Sequence, residues 1–69
     1  MIDKVTLPVA RKIANLTQKA LAEYCGVSES TVINWEKGRS EPTVSQARMI
    51  GEATSIPYDK IIFLPKKTV

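Results

Sequence analysis

The sequence predicts an all-α fold of five short helices, and three observations carry that expectation. Apolar residues recur at three- and four-residue spacing rather than in alternation, as one face of a helix requires. Residues that start helices (Thr17, Ser28, Thr43) and residues that end them (Asn15, Gly26, Gly38) alternate along the chain. The four prolines, at positions 8, 42, 57 and 65, fall at segment edges, where the missing N–H costs little.

Taken in order, Leu7-Pro8 opens helix 1 over residues 8–14, with Val9, Ala10, Ile13 and Leu16 as its apolar stripe. Asn15 tolerates left-handed backbone and closes it. Thr17 is the expected N-cap of helix 2, which runs to Cys25. Gly26-Val27 makes the turn, because a glycine accepts the positive φ of a tight reversal. Ser28 caps helix 3, whose body is Glu29 to Lys37, and Gly38 stops it. Thr43-Val-Ser-Gln46 has the pattern of a capping box, in which side chain and backbone satisfy each other's orphan N–H groups. Helix 4 follows to about Ala53, with Ala47, Ile50 and Ala53 inward. Pro57 starts helix 5 through Ile62, and Pro65 prevents the tail, residues 63–69, from continuing it. An alternative for Ile62–Leu64 is strand pairing, either with Ile2–Leu7 or across a dimer.

Within this pattern Gln18, Leu21, Ala22, Gly26, Val27, Val32 and Trp35 stand at helix-turn-helix spacing. Two helices crossing steeply need a small residue where they touch, and Ala22 supplies it. Val32 and Trp35, three apart, face back onto Leu21 and Ala22. Such a unit commonly presents its second helix to a DNA major groove.

Bulk properties narrow the function classes. At 69 residues the chain holds one domain, 1–69, with a small core. Its net charge of +3 and pI near 9.3 favour a polyanionic partner only mildly. No apolar run approaches the ~20 residues of a membrane span, and Met1-Ile-Asp-Lys lacks the pattern of a signal peptide, so a cytoplasmic protein without a membrane partner is expected. Histidine is absent, and the single cysteine, Cys25, falls on an expected buried position. That leaves no metal site, no cofactor site and no nucleophile–base pair, so an enzyme is not expected.

The run Thr17-Gln-Lys-Ala-Leu-Ala-Glu-Tyr-Cys-Gly-Val-Ser-Glu-Ser-Thr-Val-Ile-Asn-Trp-Glu-Lys-Gly-Arg39, with Pro42, closely resembles the Cro and phage-repressor (XRE-like) type of helix-turn-helix domain. The resemblance spans about residues 7–63. It implies a compact, lambda-repressor-like domain of five helices with a short extended C-terminal tail, helix 3 acting as the reader of double-stranded DNA. The chain departs from the family pattern at Thr54, where a larger aliphatic residue is usual.

The resemblance also assigns roles. Base-edge contacts fall on the positions of Glu29, Ser30 and Asn34. Asn34 can pair with adenine, Glu29 can accept from cytosine N4, and the neighbouring Ile33 can pack on a thymine methyl. The bland alternatives are that Glu29 only complements the helix dipole and that Ile33 is a surface apolar residue. Phosphate contacts are expected from Gln18, Lys37, Arg39 and Ser40, with Lys19 a weaker candidate. The matching glutamine in the family can also brace the first reader residue, here Glu29. Arg11 and Glu36 match a structural ion pair, and Trp35 is expected in the core.

A module this small normally needs two copies for useful affinity, and a two-fold dimer would set its reader helices about 34 Å apart, matching half-sites about ten base pairs centre to centre. Ile56, Pro57, Tyr58, Ile61, Ile62, Phe63 and Leu64 form the expected dimer surface, although Ile61 and Phe63 could instead close the core of one subunit. The leading expectation is a sequence-specific transcriptional regulator of Cro or repressor type, acting by operator occupancy. The rivals are an antirepressor that binds another repressor protein through the same face, favoured by Glu29 and Ile33, and an accessory protein of transposition or excision that bends DNA.

Overall fold

A computed structural model describes residues 4–63. In chain order these form strand β1 (Val5–Thr6), helices α1 (Leu7–Ile13), α2 (Gln18–Cys25), α3 (Glu29–Glu36) and α4 (Val44–Thr54), a 3₁₀ turn over Tyr58–Lys60, and strand β2 (Ile61–Ile62). The fold is mostly helical, with four α-helices among the described residues rather than five.

The difference from expectation lies after Pro57. Pro57 and Ile61 both have extended backbone (ψ 139° and 126°), so only one 3₁₀ turn fits between them. Ile61 and Ile62 then pair in parallel with Val5 and Thr6. β-branched residues suit a pleated, half-buried ribbon, and the pairing buries Ile61. Strand pairing within the chain, the expected alternative for this segment, therefore occurs one residue earlier; Ile2 and Leu64 lie outside the described residues.

The starts of α2, α3 and α4 are each satisfied by the residue the sequence offers, whereas α1 begins without a side-chain cap at Leu7-Pro8. The Thr17 hydroxyl accepts from Ala20 N at 2.9 Å and the Ser28 hydroxyl from Thr31 N at 3.2 Å. At α4 the box is complete, with Gln46 N donating to Thr43 Oγ1 at 3.1 Å and Thr43 N to Gln46 Oε1 at 2.8 Å.

The first three helix ends share one geometry. Asn15, Gly26 and Gly38 adopt φ of 63°, 72° and 76°. In each case the next residue's N–H reaches back to a carbonyl of the last turn: Leu16 to Arg11, Val27 to Ala22, Arg39 to Asn34. Three successive closures of this kind give α1, α2 and α3 sharp reversals, so even helices of seven or eight residues can pack on one another.

The core is built from Leu7, Ala10, Leu21, Ala22, Cys25, Val32, Trp35, Ile50, Ile56 and Ile61. Leu7, Leu21, Val32 and Ile50 are its largest fully buried side chains, each stabilising the fold by about 1.5–3 kcal/mol. On α1 the inward stripe runs through Leu7 and Ala10, so Val9 (44% exposed) and Ile13 (57% exposed) face outward, contrary to the stripe expected from spacing. On α4 only Ile50 of the expected inward residues is buried, Ala47 and Ala53 being half-buried.

Thr54 is the only buried polar residue among the described ones. Its hydroxyl donates to Ile50 O at 2.8 Å and accepts from Ile56 N at 3.3 Å. The hydroxyl thus serves both the helix end and the chain that leaves it, which is how the fold accommodates the departure from an aliphatic residue. Ser55 completes the reversal at φ 60°. A Cβ on Gly51 would sit 3.2 Å from both Ile56 O and Tyr58 N, so glycine there lets the segment after α4 lie directly against the helix.

Candidate nucleic-acid interface

Helix α3 is held by two of its residues. Val32 is fully buried and Trp35 is 2% exposed, in one core cluster with Leu21 and Ala22 of the adjoining α2. Docking through positions 32 and 35 turns Glu36 inward beside them and keeps the other side chains out of the core. Glu29 and Ser30 are exposed, Ile33 and Asn34 half-buried, and Lys37 exposed beyond the last turn.

Two flanks complete the surface. The N-terminus of α2 brings half-buried Gln18 and exposed Lys19. The reversal at Gly38, fixed by Arg39 N donating to Asn34 O at 2.9 Å, brings exposed Arg39 and half-buried Ser40 to the end of α3. Three cations therefore lie on the elements that border α3, and Glu29 is the anion on its first turn.

Behind this surface a charged network ties α1, α2 and α3 together. Arg11 Nε donates to Glu36 Oε2 at 2.6 Å, with side chains only 12% and 8% exposed. Arg11 Nη1 donates to the Leu16 carbonyl at 2.9 Å. Gln18 Nε2 donates to Glu36 Oε1 at 2.9 Å. Both Glu36 oxygens are thus committed inside the protein, which makes the residue a brace.

This last bond departs from expectation. Gln18 does not brace Glu29; its amide nitrogen is turned to Glu36, leaving its carbonyl oxygen and one N–H for other partners. No sequence pattern singled out the Gln18–Glu36 contact, because it depends on how α2 and α3 cross.

Two titratable groups are perturbed away from this surface. Desolvation, and then the neighbouring Glu52 carboxylate, push the Tyr24 phenol up; its hydroxyl donates to Glu52 Oε1 at 3.3 Å. Burial pushes the Cys25 thiol up.

The model of the helix-turn-helix family matches residues 9–61. An uncharacterized HTH-type transcriptional regulator of Methanothermobacter thermautotrophicus is 41% identical over 54 residues, covering 78% of each chain. Another, from Methanocaldococcus jannaschii, is 36% identical over 58 residues, covering 84% of this chain and 88% of that one. The chain belongs to the XRE-like helix-turn-helix family. No solved structure matches it significantly.

In this helix-turn-helix protein the segment expected to form a dimer surface is divided. Ile56 and Ile61, each 5% exposed, are core residues of the monomer and leave that surface. Pro57, Tyr58 (45% exposed) and Ile62 (40% exposed) stay outside, Phe63 is half-buried, and Leu64 is beyond the described residues. Tyr58 and Phe63 instead join Glu41, Pro42, Thr43, Val44 and Ala47 around an open groove of about 350 Å³. Val44, 71% exposed, was missed from sequence; as the first residue of α4 it lies off the stripe that reaches Ile50, which was the available signal. No helix among the described residues is long and apolar enough to cross a membrane.

Proposed function

We propose that this chain is a sequence-specific DNA-binding transcriptional regulator of Cro or repressor type, acting by operator occupancy as a homodimer. One observation carries the proposal. Val32 and Trp35 anchor α3 from one side, so Glu29, Ser30, Ile33 and Asn34 line the other, between the α2 N-terminus and the Lys37–Ser40 loop. A major groove accepts a helix so presented, and bordering cations and free N–H groups suit the phosphates on either side.

In this proposal Asn34, Ser30, Ile33 and Glu29 read base edges, while Gln18, Lys19, Lys37, Arg39 and Ser40 hold the backbone. The open groove lined by Val44, Tyr58 and Phe63 supports a two-fold partner, because it leaves apolar side chains uncovered and its lining begins at Glu41, directly after Ser40. The rival antirepressor role asks the same face to bind protein. Ile33 is half-buried and the rest of that face is polar or charged, which favours DNA.

Selection of bound duplexes from random DNA tests the proposal. The expected result is a two-fold symmetric site with half-sites about ten base pairs apart. No enrichment at physiological salt would overturn it, and enrichment of a single half-site would overturn the dimer.

A further inference from the structure

Glu29 is the one anion on a face built for DNA, and the fold offers it only the weak, solvent-screened dipole of the α3 N-terminus. Its side chain is exposed on the first turn of α3. Among the described residues the one salt bridge is Arg11–Glu36, so Glu29 has no cation partner. Gln18, which would brace it, gives its amide nitrogen to Glu36 at 2.9 Å instead. A bare carboxylate carried toward phosphates opposes every DNA contact made by Lys19, Lys37 and Arg39.

We propose that Glu29 is a specificity determinant that works chiefly by exclusion, admitting only a half-site with a cytosine opposite it. This rests on the DNA-binding role proposed above. The chemistry of the base edges makes the choice. An ionised carboxylate only accepts hydrogen bonds. Guanine shows it two acceptors, N7 and O6, and thymine one acceptor and a methyl group. Adenine offers its N6 amine but sets the N7 acceptor beside it, against the second carboxylate oxygen. Cytosine offers the N4 amine with only C5–H beside it on its own edge, so of the four bases it best offsets the charge. Every other sequence meets an uncompensated negative group, which lowers non-specific binding and widens the gap between operator and random DNA.

The test compares the wild-type chain with Glu29→Gln in selection from random duplexes, followed by titration of each protein against the wild-type site and a random duplex at one salt concentration. Glu29 is exposed and without a hydrogen bond, so the substitution leaves the fold intact. The expected result is cytosine at one position of each wild-type half-site, replaced by adenine for Glu29→Gln, since an amide matches the N6/N7 pair. Affinity for random DNA should rise about 3- to 10-fold, and the specific-to-random ratio should fall at least tenfold, roughly one charge's worth of the salt-dependent contribution plus one base contact. If both proteins select the same base with the same ratio, Glu29 has no such role. If the wild type selects no sequence at all, the DNA-binding role falls and this inference with it.

Discussion

The network around Glu36 makes a quantitative prediction. Glu36→Ala removes the acceptor for Arg11 Nε (2.6 Å) and for Gln18 Nε2 (2.9 Å) in one step. Breaking a fully buried ion pair by deleting one partner costs about 3–5 kcal/mol, mostly because the other charge is stranded. Here the two side chains are 12% and 8% exposed, and Arg11 keeps its bond to the Leu16 carbonyl, so the cost should be about 2–4 kcal/mol. A domain of this length has only about 3–10 kcal/mol in total, and the melting temperature should fall by about 10–25 °C. Urea unfolding followed by fluorescence of the buried Trp35, the single tryptophan, measures it. Arg11→Met with Glu36→Leu in one chain should recover most of the loss, because neither charge is left alone. A loss under about 1 kcal/mol for Glu36→Ala, or a double variant as unstable as the two single changes combined, would refute the reasoning.

Further outcomes follow from other sites. Asn34→Ala should weaken preference at one base position by about 1–3 kcal/mol, while Lys37→Ala should weaken all duplexes alike and flatten the salt dependence; binding titrations on specific and random DNA separate the two. Thr54→Val keeps shape but leaves Ile56 N–H without its acceptor, and thermal melting should report a loss of about 1–2 kcal/mol. Cys25 should react with a disulfide reagent slowly in the native protein and fast in urea, being 6% exposed with its thiol pushed up. Because the folded pKa is raised, the unfolded chain ionises first, so stability should decline as pH rises past the ordinary thiol range.

How much of this was legible in the sequence follows from how local each feature is. Caps at Thr17, Ser28 and Thr43 and reversals at Asn15, Gly26 and Gly38 involve residues within five of one another, and those were readable. Pairing of Val5 with Ile61 is set by tertiary context, which turned an expected fifth helix into one 3₁₀ turn and a strand. The same cause moved Ile56 and Ile61 from an outer surface into the core. On α1 an apolar residue at every plausible position hid the true stripe, since Val9 and Ile13 look as buriable as Leu7 and Ala10. The outward face of α3 was legible because buried Val32 and Trp35 fix the rotation of the helix. The turn of Gln18 toward Glu36 was not, because it needs the relative positions of three helices.

Parallel pairing of residues 5–6 with 61–62 ties the first described element to the last. Synthesis must therefore have passed Ile62 before β1 gains a partner or Ile61 enters the core. Until then the helices can meet, but the ring they form stays open at one seam. A released chain ending just short of Ile61 would keep every residue of α2 and α3 but lack both the partner strand of β1 and the buried Ile61 side chain.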